Sequence, residues 1–423
     1  CLGTVLRPYL GTRSVVIFHV ISECDPAINR SLGIILNITR AGRARLPAFL
    51  GSVNMQIVQA TLYRLSLPLK HPFTTSFGQL GAKQCLILEL VDELGHHGFG
   101  EGAAFEVPFY TPEFLDGDWA LLERQLLPRL LKTPLAHPDD GDALFSYVRH
   151  NEMARAAINC ALWDLFTQRT GQSLAQAIGG TKTQVEAGVS IGIQPSPAEL
   201  VTKVGDYLAA GYRRIKMKIQ PGHDYDYLRA VREAYPNAML MADANSAYRL
   251  SDLPLLKRLD DLHLTMIEQP LGADDLVEHA ALQAELATAL CLDESINSLA
   301  DAATMAKLGS GRIINVKVAR VGGLSAAKRI QDFASQHGLE CWCGGMLATG
   351  IGRAFDLAVA TLPGFTLPND ISAAARYFDQ DITTPPVTLN GAIIDVPTQV
   401  GLGFEVDQAA LAKFTTQTVQ VNR

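Results

Sequence analysis

The sequence is short of the features that announce a nucleic-acid or membrane protein. Charged residues are 19% of its 423 positions and the net charge is -7, so no basic stripe is offered to a nucleic acid. No run approaches the length of about 18 uncharged apolar residues that would span a bilayer, and no membrane partner is expected. The seven cysteines lack the paired spacing of a metal finger, and Cys341-Trp342-Cys343 sits in an apolar run that reads as a buried strand. They read as thiols of a reducing cytosol, which makes the expected location cytoplasmic. Methionine is absent before Met55, and Arg40, Arg43 and Arg45 fall without amphipathic period. Ser14 to Ile21 is too short and too weakly flanked for a signal peptide. Residues 1–54 are therefore expected to be a non-native or upstream-translated extension.

What is abundant is apolar surface. Hydrophobic residues make up 48% of the chain, enough for a full core, and the length suits a barrel with one further unit. Apolar alternation over 57–65 and 84–91, with a turn at 92–95, predicts hairpin strands. Helices are predicted over 119–131, 142–149 and 152–169, the last from Met153, Ala157, Ala161, Leu162 and Leu165 at helical spacing. Thr74-Thr75-Ser76-Phe77-Gly78 reads as a lid loop.

In the second half, Lys218, Asp243, Glu268, Asp293 and Lys317 each end a short β-type run, with gaps of 25, 25, 25 and 24 residues. Helical patterns of 10 to 15 residues lie between, predicting strands at 184–192, 213–219, 239–243, 264–268, 289–293, 313–318, 339–343 and about 365–370. The helices between them include 197–211, 224–235, 298–308 and 323–337. The expected fold is α/β, a modified (β/α)8-type barrel of (β/α)7β form over 183–385. An α+β capping domain over 55–182 is expected to be completed by the β-rich tail 386–423.

Active sites of such barrels lie at the C-terminal strand ends, where these five residues fall. Strand alternation turns Lys216 and Lys218 the same way, with Ile215, Met217 and Ile219 suited to the helix-packed outer face. Two lysines crowded near a cation would have lowered pKa values, leaving a neutral amine. Asp243, Glu268 and Asp293 end neighbouring strands, and three oxygen ligands with room for water and substrate suit Mg²⁺, with Mn²⁺ as a substitute. Each carboxylate also has a plain alternative, as a helix cap or a strand end. The combination suits proton removal from a carbon next to a carboxylate: an amine takes the proton while a divalent ion stabilises the enediolate.

From Met55 onward the chain resembles the enolase superfamily, muconate-lactonizing subgroup, through Lys216-Met-Lys218, Asp243-Ala-Asn245, Glu268-Gln-Pro, Asp293-Glu-Ser and Lys317. Within it the chain is most similar to the o-succinylbenzoate synthase and N-succinylamino acid racemase group. That likeness rests on the run from Trp342 to Arg353 and on Asp370-Ile-Ser-Ala-Ala-Ala-Arg-Tyr-Phe378. The resemblance implies that Lys218 and Lys317 are acid/base lysines, with Lys216 beside them, and that the three carboxylates hold Mg²⁺. It implies a substrate contact set of Asn245, Gly344, Gly345, Met346, Arg320 and Phe77, the last on the lid. Arg320 would hold Lys317 more neutral, or would be a surface arginine paired to an acid. Gly344 and Gly345 would place the substrate's succinyl end, or would only turn the chain. Ala348-Thr349 stands where the group more often has Glu-Ser.

The expected partner is a small-molecule carboxylate, and the expected assembly a homo-oligomer. The expected activity is dehydration to o-succinylbenzoate, with N-succinylamino acid racemisation as the nearest rival. A dipeptide epimerase is less favoured, because Pro368-Asn369-Asp370 lacks an acidic Asp-x-Asp clamp. A Schiff-base aldolase or a binding protein without catalysis would have little use for three carboxylates between opposed lysines.

Overall fold

The computed structural model describes residues 54–75 and 78–423, the side chains of 73–75 and 78–79 aside. Phe77 and the expected extension, all but Asn54, lie outside them. Strands β1 (Ile57–Thr75), β2 (Gly78–Asp92) and β3 (His97–Gly102) form an antiparallel meander. The turn after β2 is where it was expected: Asp92 Oδ1 accepts N–H bonds from Leu94 and His96, both at 2.9 Å, and Gly95 takes φ 83°.

The hairpin is longer than the alternation suggested. Pairing runs on to Thr75 opposite Gly78, with an irregularity between Pro68 and Phe73. Proline brings no N–H to a ladder, so Pro68 and Pro72 hide the strand's continuation from pattern reading. Of the sequence expected as a lid loop, Thr74, Thr75 and Gly78 belong to this hairpin, while Ser76 and Phe77 lie outside the described residues.

Helix α1 (Leu115–Leu121) and helix α2 (Glu152–Thr170) cover the meander. A side chain at Gly98 or Gly100 would come within 2.4 Å of the Ala161 carbonyl oxygen or 2.0 Å of that of Ala157, so only glycine lets α2 lie this close to β3. The alternate residues of β3, Phe99 and Glu101, are buried as well.

Asp118 of α1 is 1% exposed, and no N–H or O–H of another residue is directed at either of its carboxyl oxygens. The Glu113 carboxyl faces it, and Glu113 Oε2 itself accepts the N–H groups of Met153 (2.8 Å) and Ala154 (3.2 Å) at the start of α2. Burial pushes Asp118 up to about 7, while burial and the charge of Asp118 push Glu113 up to about 9. A proton shared by the two satisfies both. Since both folded values lie above the ordinary carboxylate range, this stability is full below about pH 4 and is lost as pH rises through 7 and then 9. Asp118→Asn supplies an N–H where the wild type needs that proton. It is expected to raise the melting temperature by a few degrees at pH 9, on the order of 1–3 kcal/mol, with little change at pH 5. Thermal scans at both pH values check this, and a variant less stable than wild type at pH 9 would refute it.

The barrel is a seven-stranded parallel sheet in sequence order: β4 (Val189–Ile191), β5 (Arg214–Lys218), β6 (Met239–Asp243), β7 (Ile267–Glu268), β8 (Leu290–Leu292), β9 (Ile313–Val316) and β10 (Glu340–Cys343). Helices at Pro197–Ala209, Tyr225–Ala234, Leu299–Leu308 and Leu324–Gln336 match the periodic segments. Ser196, Asp224 and Ser298 cap three of them through their side-chain oxygens. Ile215, Met217 and Ile219 pack outward under these helices, as alternation required. The barrel interior holds Met241, Met266, Cys291, Ile313 and Trp342.

Two of the expected strands come out differently. The first splits at Gly188. Gln184–Glu186 pairs with Ile393–Asp395 instead, and a side chain at Gly188 would strike the Arg214 guanidinium. The eighth, near 365–370, is held by isolated hydrogen bonds: Thr366 N–H to Cys341 O (3.2 Å), Asn369 N–H to Glu186 O (2.8 Å) and Asp370 N–H to Cys343 O (2.8 Å). Pro368 interrupts its ladder and gives its carbonyl to Arg214 Nε at 2.9 Å. These bonds still connect β10 to the start of β4 and close the ring.

Beyond helix α3 (Gly350–Ala360), strand β11 (Thr415–Asn422) pairs antiparallel with β1. The five described cysteines are buried and unpaired, Cys341 and Cys343 on β10. Among the described residues no helix is long and apolar enough to cross a membrane.

Candidate active site

The ends of β5 to β9 gather the predicted charges into two contact groups, Lys218, Asp243, Lys216 and Glu268 in one and Asp293 with Lys317 in the other. Asp243 lies beside Lys218 on one neighbouring strand and Glu268 on the other. Lys216 is 4% exposed, with its Nζ 2.9 Å from Asp243 Oδ2 and 2.7 Å from Glu268 Oε2. Lys218 Nζ meets the same Asp243 oxygen at 2.6 Å and also bonds Asn245 Oδ1. At the far end, Lys317 Nζ contacts Asp293 Oδ2 at 2.9 Å, and Arg320 contacts Asp293 Oδ1.

The expected depression of the lysine pKa values is tied to a bound cation; the protein's own groups act on Lys216 and Lys317 in the opposite sense. Burial works to lower Lys216, but Asp243, Glu268 and Asp370 outweigh it and hold it well above the ordinary range. Lys317 is also raised: burial pulls it down, and Tyr110, Glu294 and Glu268 more than offset that. Arg320 is 1% exposed, so it is no surface arginine, and it shares Asp293 and the Tyr110 hydroxyl with Lys317. Asp243 is held below the ordinary carboxylate range, Lys216 and Lys218 overcoming the effect of burial.

Tyr110, Asn315 and Arg214 carry no motif and escaped the sequence reading, while Gln269, Trp342 and Asp370 lie in the quoted motifs without having been given a role. The Tyr110 hydroxyl, on the loop after β3, lies 2.8 Å from both Lys317 Nζ and Arg320, and 3.2 Å from Asp293 Oδ1. Asn315 gives its amide N–H to Glu268 Oε1 at 2.8 Å. Buried Gln269 accepts the backbone N–H of Asp293 at 3.0 Å, which gives the residue after Glu268 a positioning task. Arg214, beneath Lys216, pairs with Asp370, and both cations lie over Trp342, at 4.7 and 5.0 Å from the ring centre. Asn245, Ser246, Gln269 and Leu347 all have φ between 38° and 62°, so left-handed, strained backbone gathers just past the strand ends.

Gly344 and Gly345 are required for room. An added side chain would lie 2.1 Å from Asn315 Oδ1 at the first and 2.6 Å from the Asp370 carbonyl oxygen at the second. Met346 packs in an apolar cluster with Ala103, Ala104 and Met153, against Phe105, Tyr110 and Ala319.

Among the described residues, no group of three or more His, Cys, Asp or Glu side chains is gathered closely enough, as it stands, to hold a metal ion. Ammonium and guanidinium groups occupy the carboxylates instead. The donor set still fits a hard divalent cation. It is all oxygen, and Glu268 Oε2 is buried with no aligned hydrogen-bond donor although Lys216 is near. The neighbouring Glu294 Oε2 is buried and unpartnered too.

Comparison with known proteins identifies the family. The profile of the mandelate racemase / muconate lactonizing enzyme N-terminal domain matches residues 57–179, and that of the enolase C-terminal domain-like family matches 199–410. The chain belongs to the enolase superfamily. It is 49% identical to an o-succinylbenzoate synthase of Geobacillus stearothermophilus over 364 residues, 86% of this chain and 96% of the relative. It is 47% identical to an N-succinylamino acid racemase of Thermus thermophilus, over 83% of this chain and 95% of that one. A crystal structure of an enolase superfamily member from Listeria innocua superposes with a TM-score of 0.86 at 44% identity, covering 87% of this chain and 99% of that one.

Proposed function

We propose that this chain is an o-succinylbenzoate synthase, a carbon–oxygen lyase that dehydrates 2-succinyl-6-hydroxy-2,4-cyclohexadiene-1-carboxylate in menaquinone biosynthesis. The observation that carries the reading is the row of three carboxylates with Lys218 at one end and Lys317 at the other. High identity to several o-succinylbenzoate synthases supports the substrate.

Lys218 takes the proton α to the substrate carboxylate. Asp243 Oδ2 and Asn245 Oδ1 aim its Nζ. Lys317, whose surroundings favour the ammonium form, places positive charge against the developing enediolate. Tyr110 and Asp293 hold that ammonium in position. Departure of the ring hydroxyl, which leaves as water with the proton Lys218 has gained, makes the ring aromatic. Mg²⁺ or Mn²⁺, held by Asp243, Glu268 and Asp293, would act as a Lewis acid on the carboxylate oxygens.

Racemisation of N-succinylamino acids is a second reading, supported by the opposed lysines and by the Thermus relative. It asks Lys317 to serve as a base in one direction and Lys218 in the other. Assay of the purified chain with Mg²⁺ on both substrates separates the two. The expected result is dehydration with kcat/KM well above that for racemisation. No dehydration, with racemisation intact, would overturn the lyase reading in favour of the isomerase.

A further inference from the structure

Six lysine and arginine side chains are buried among the described residues: Lys83, Arg214, Lys216, Lys317, Arg320 and Arg353. Five of them pair with a carboxylate. Arg214 has Asp370, Lys216 has Asp243 and Glu268, Lys317 and Arg320 have Asp293, and Arg353 has Asp381. Lys83 is the exception. It is 2% exposed, donates to the Met346 carbonyl at 3.1 Å, and lies 5.7 Å from the centre of the Phe105 ring. A carbonyl and a ring face only partly replace the hydration of an ammonium group, and a buried charge without a counter-charge is costly to keep.

Its position gives that cost a purpose. Lys83 shares a face of β2 with Cys85 and Ile87, which pack into the core between the meander and the barrel. Its two contacts, Met346 and Phe105, belong to the cluster that includes Tyr110 and Ala319, and the Tyr110 hydroxyl touches Lys317. Glu101 of β3 makes no direct ion pair with it, although both charges act on the buried Cys85 thiol and Glu101 Oε1 is buried without a hydrogen-bond partner. Glu101 Oε2 accepts the Thr349 N–H (3.0 Å), the Thr349 hydroxyl (2.7 Å) and the Gly352 N–H (3.1 Å) where α3 begins. An unpaired ammonium thus lies beside the apolar residues next to the lysine–carboxylate row, away from the carboxylates of the row itself.

We infer that Lys83 receives the distal carboxylate of the substrate's succinyl arm, while the reacting carboxylate goes to the site at the ends of β5 to β9. The inference rests on the reading of the chain as an o-succinylbenzoate synthase. It deepens that reading by giving the specificity for a dicarboxylate to one side chain. Lys83 is a binding residue here, with no part in proton transfer.

The test compares two ligands on the Mg²⁺-loaded enzyme by calorimetry: o-succinylbenzoate, and 2-butanoylbenzoate, which has a methyl group in place of the distal carboxylate. Wild type is expected to bind the diacid about 100-fold more tightly, in the range of a buried charge-paired contact. Lys83→Met should bind the two within about threefold of each other, and Lys83→Arg should recover part of the preference. In turnover, Lys83→Met should raise KM far more than it lowers kcat. Without ligand, Lys83→Met should be at least as thermally stable as wild type, because it removes an uncompensated buried charge. A role limited to clamping the Met346 loop would lower that stability and weaken both ligands alike, which would overturn the inference. Lys83→Met keeping the wild-type preference would overturn it and leave the lyase reading standing. A wild type that binds neither acid would sink both.

Discussion

Lys218→Ala is expected to lower kcat/KM for dehydration by about 10,000-fold and Lys317→Ala by about 1,000-fold, the first losing the base and the second a charge on the enediolate. Proton exchange tells the two lysines apart more sharply. If the enzyme also acts on N-succinylamino acids, each variant should fail to racemise them. Each should still exchange the α-proton of one enantiomer with deuterium, and the two should choose opposite enantiomers. The reason is geometric. The lysines stand at opposite ends of the carboxylate row, on β5 and just past β9, so the survivor reaches only its own side of the bound substrate. NMR in D₂O on both variants with both enantiomers checks this. Exchange of the same enantiomer by both would mean that the lysines are not opposed.

Removal of divalent metal is the other large effect. With excess chelator, turnover should fall by about 1,000-fold or more and return on adding Mg²⁺ or Mn²⁺. Glu268→Gln should resemble the chelated wild type even at high Mg²⁺. It keeps the shape and the hydrogen bond from Asn315 while losing the charge. It should also loosen Lys216, whose ammonium Glu268 helps hold, so the lysine should titrate at a lower pH than in wild type. Full activity in excess chelator, with no metal in the protein, would end the metal-assisted reading.

The barrel and its charged rim were legible because they follow periods. The strand–helix repeat is fixed by side-chain direction, and each gap of 24 or 25 residues between Lys218 and Lys317 is the length of one strand, one helix and two loops. Even the outward set of Ile215, Met217 and Ile219 could be read from alternation alone. Tyr110 and Asn315 were not legible, since each reaches the site from a loop or from the barrel interior, and long-range contact leaves no local pattern. The first and eighth strands were misjudged for a related reason. Gly188 and Pro368 have roles set by Arg214, a residue on a different strand. Crowding of like charges is visible in Lys216-Met-Lys218, whereas the carboxylates that raise Lys216 arrive from other strands and leave no mark beside it in the sequence.

The pairing of β11 with β1 joins residues such as Gln59 and Asn422, so the meander's outer edge is completed by the last strand of the chain. During synthesis, β1 to β3 are made first and must wait, with that edge open, until the whole barrel and its final helix have been produced. Open strand edges are where nascent chains stick to one another. The long sequence separation makes this closure a late and slow event. A ribosome stalled within the barrel would therefore hold a chain whose first-made sheet still offers a free edge to its neighbours.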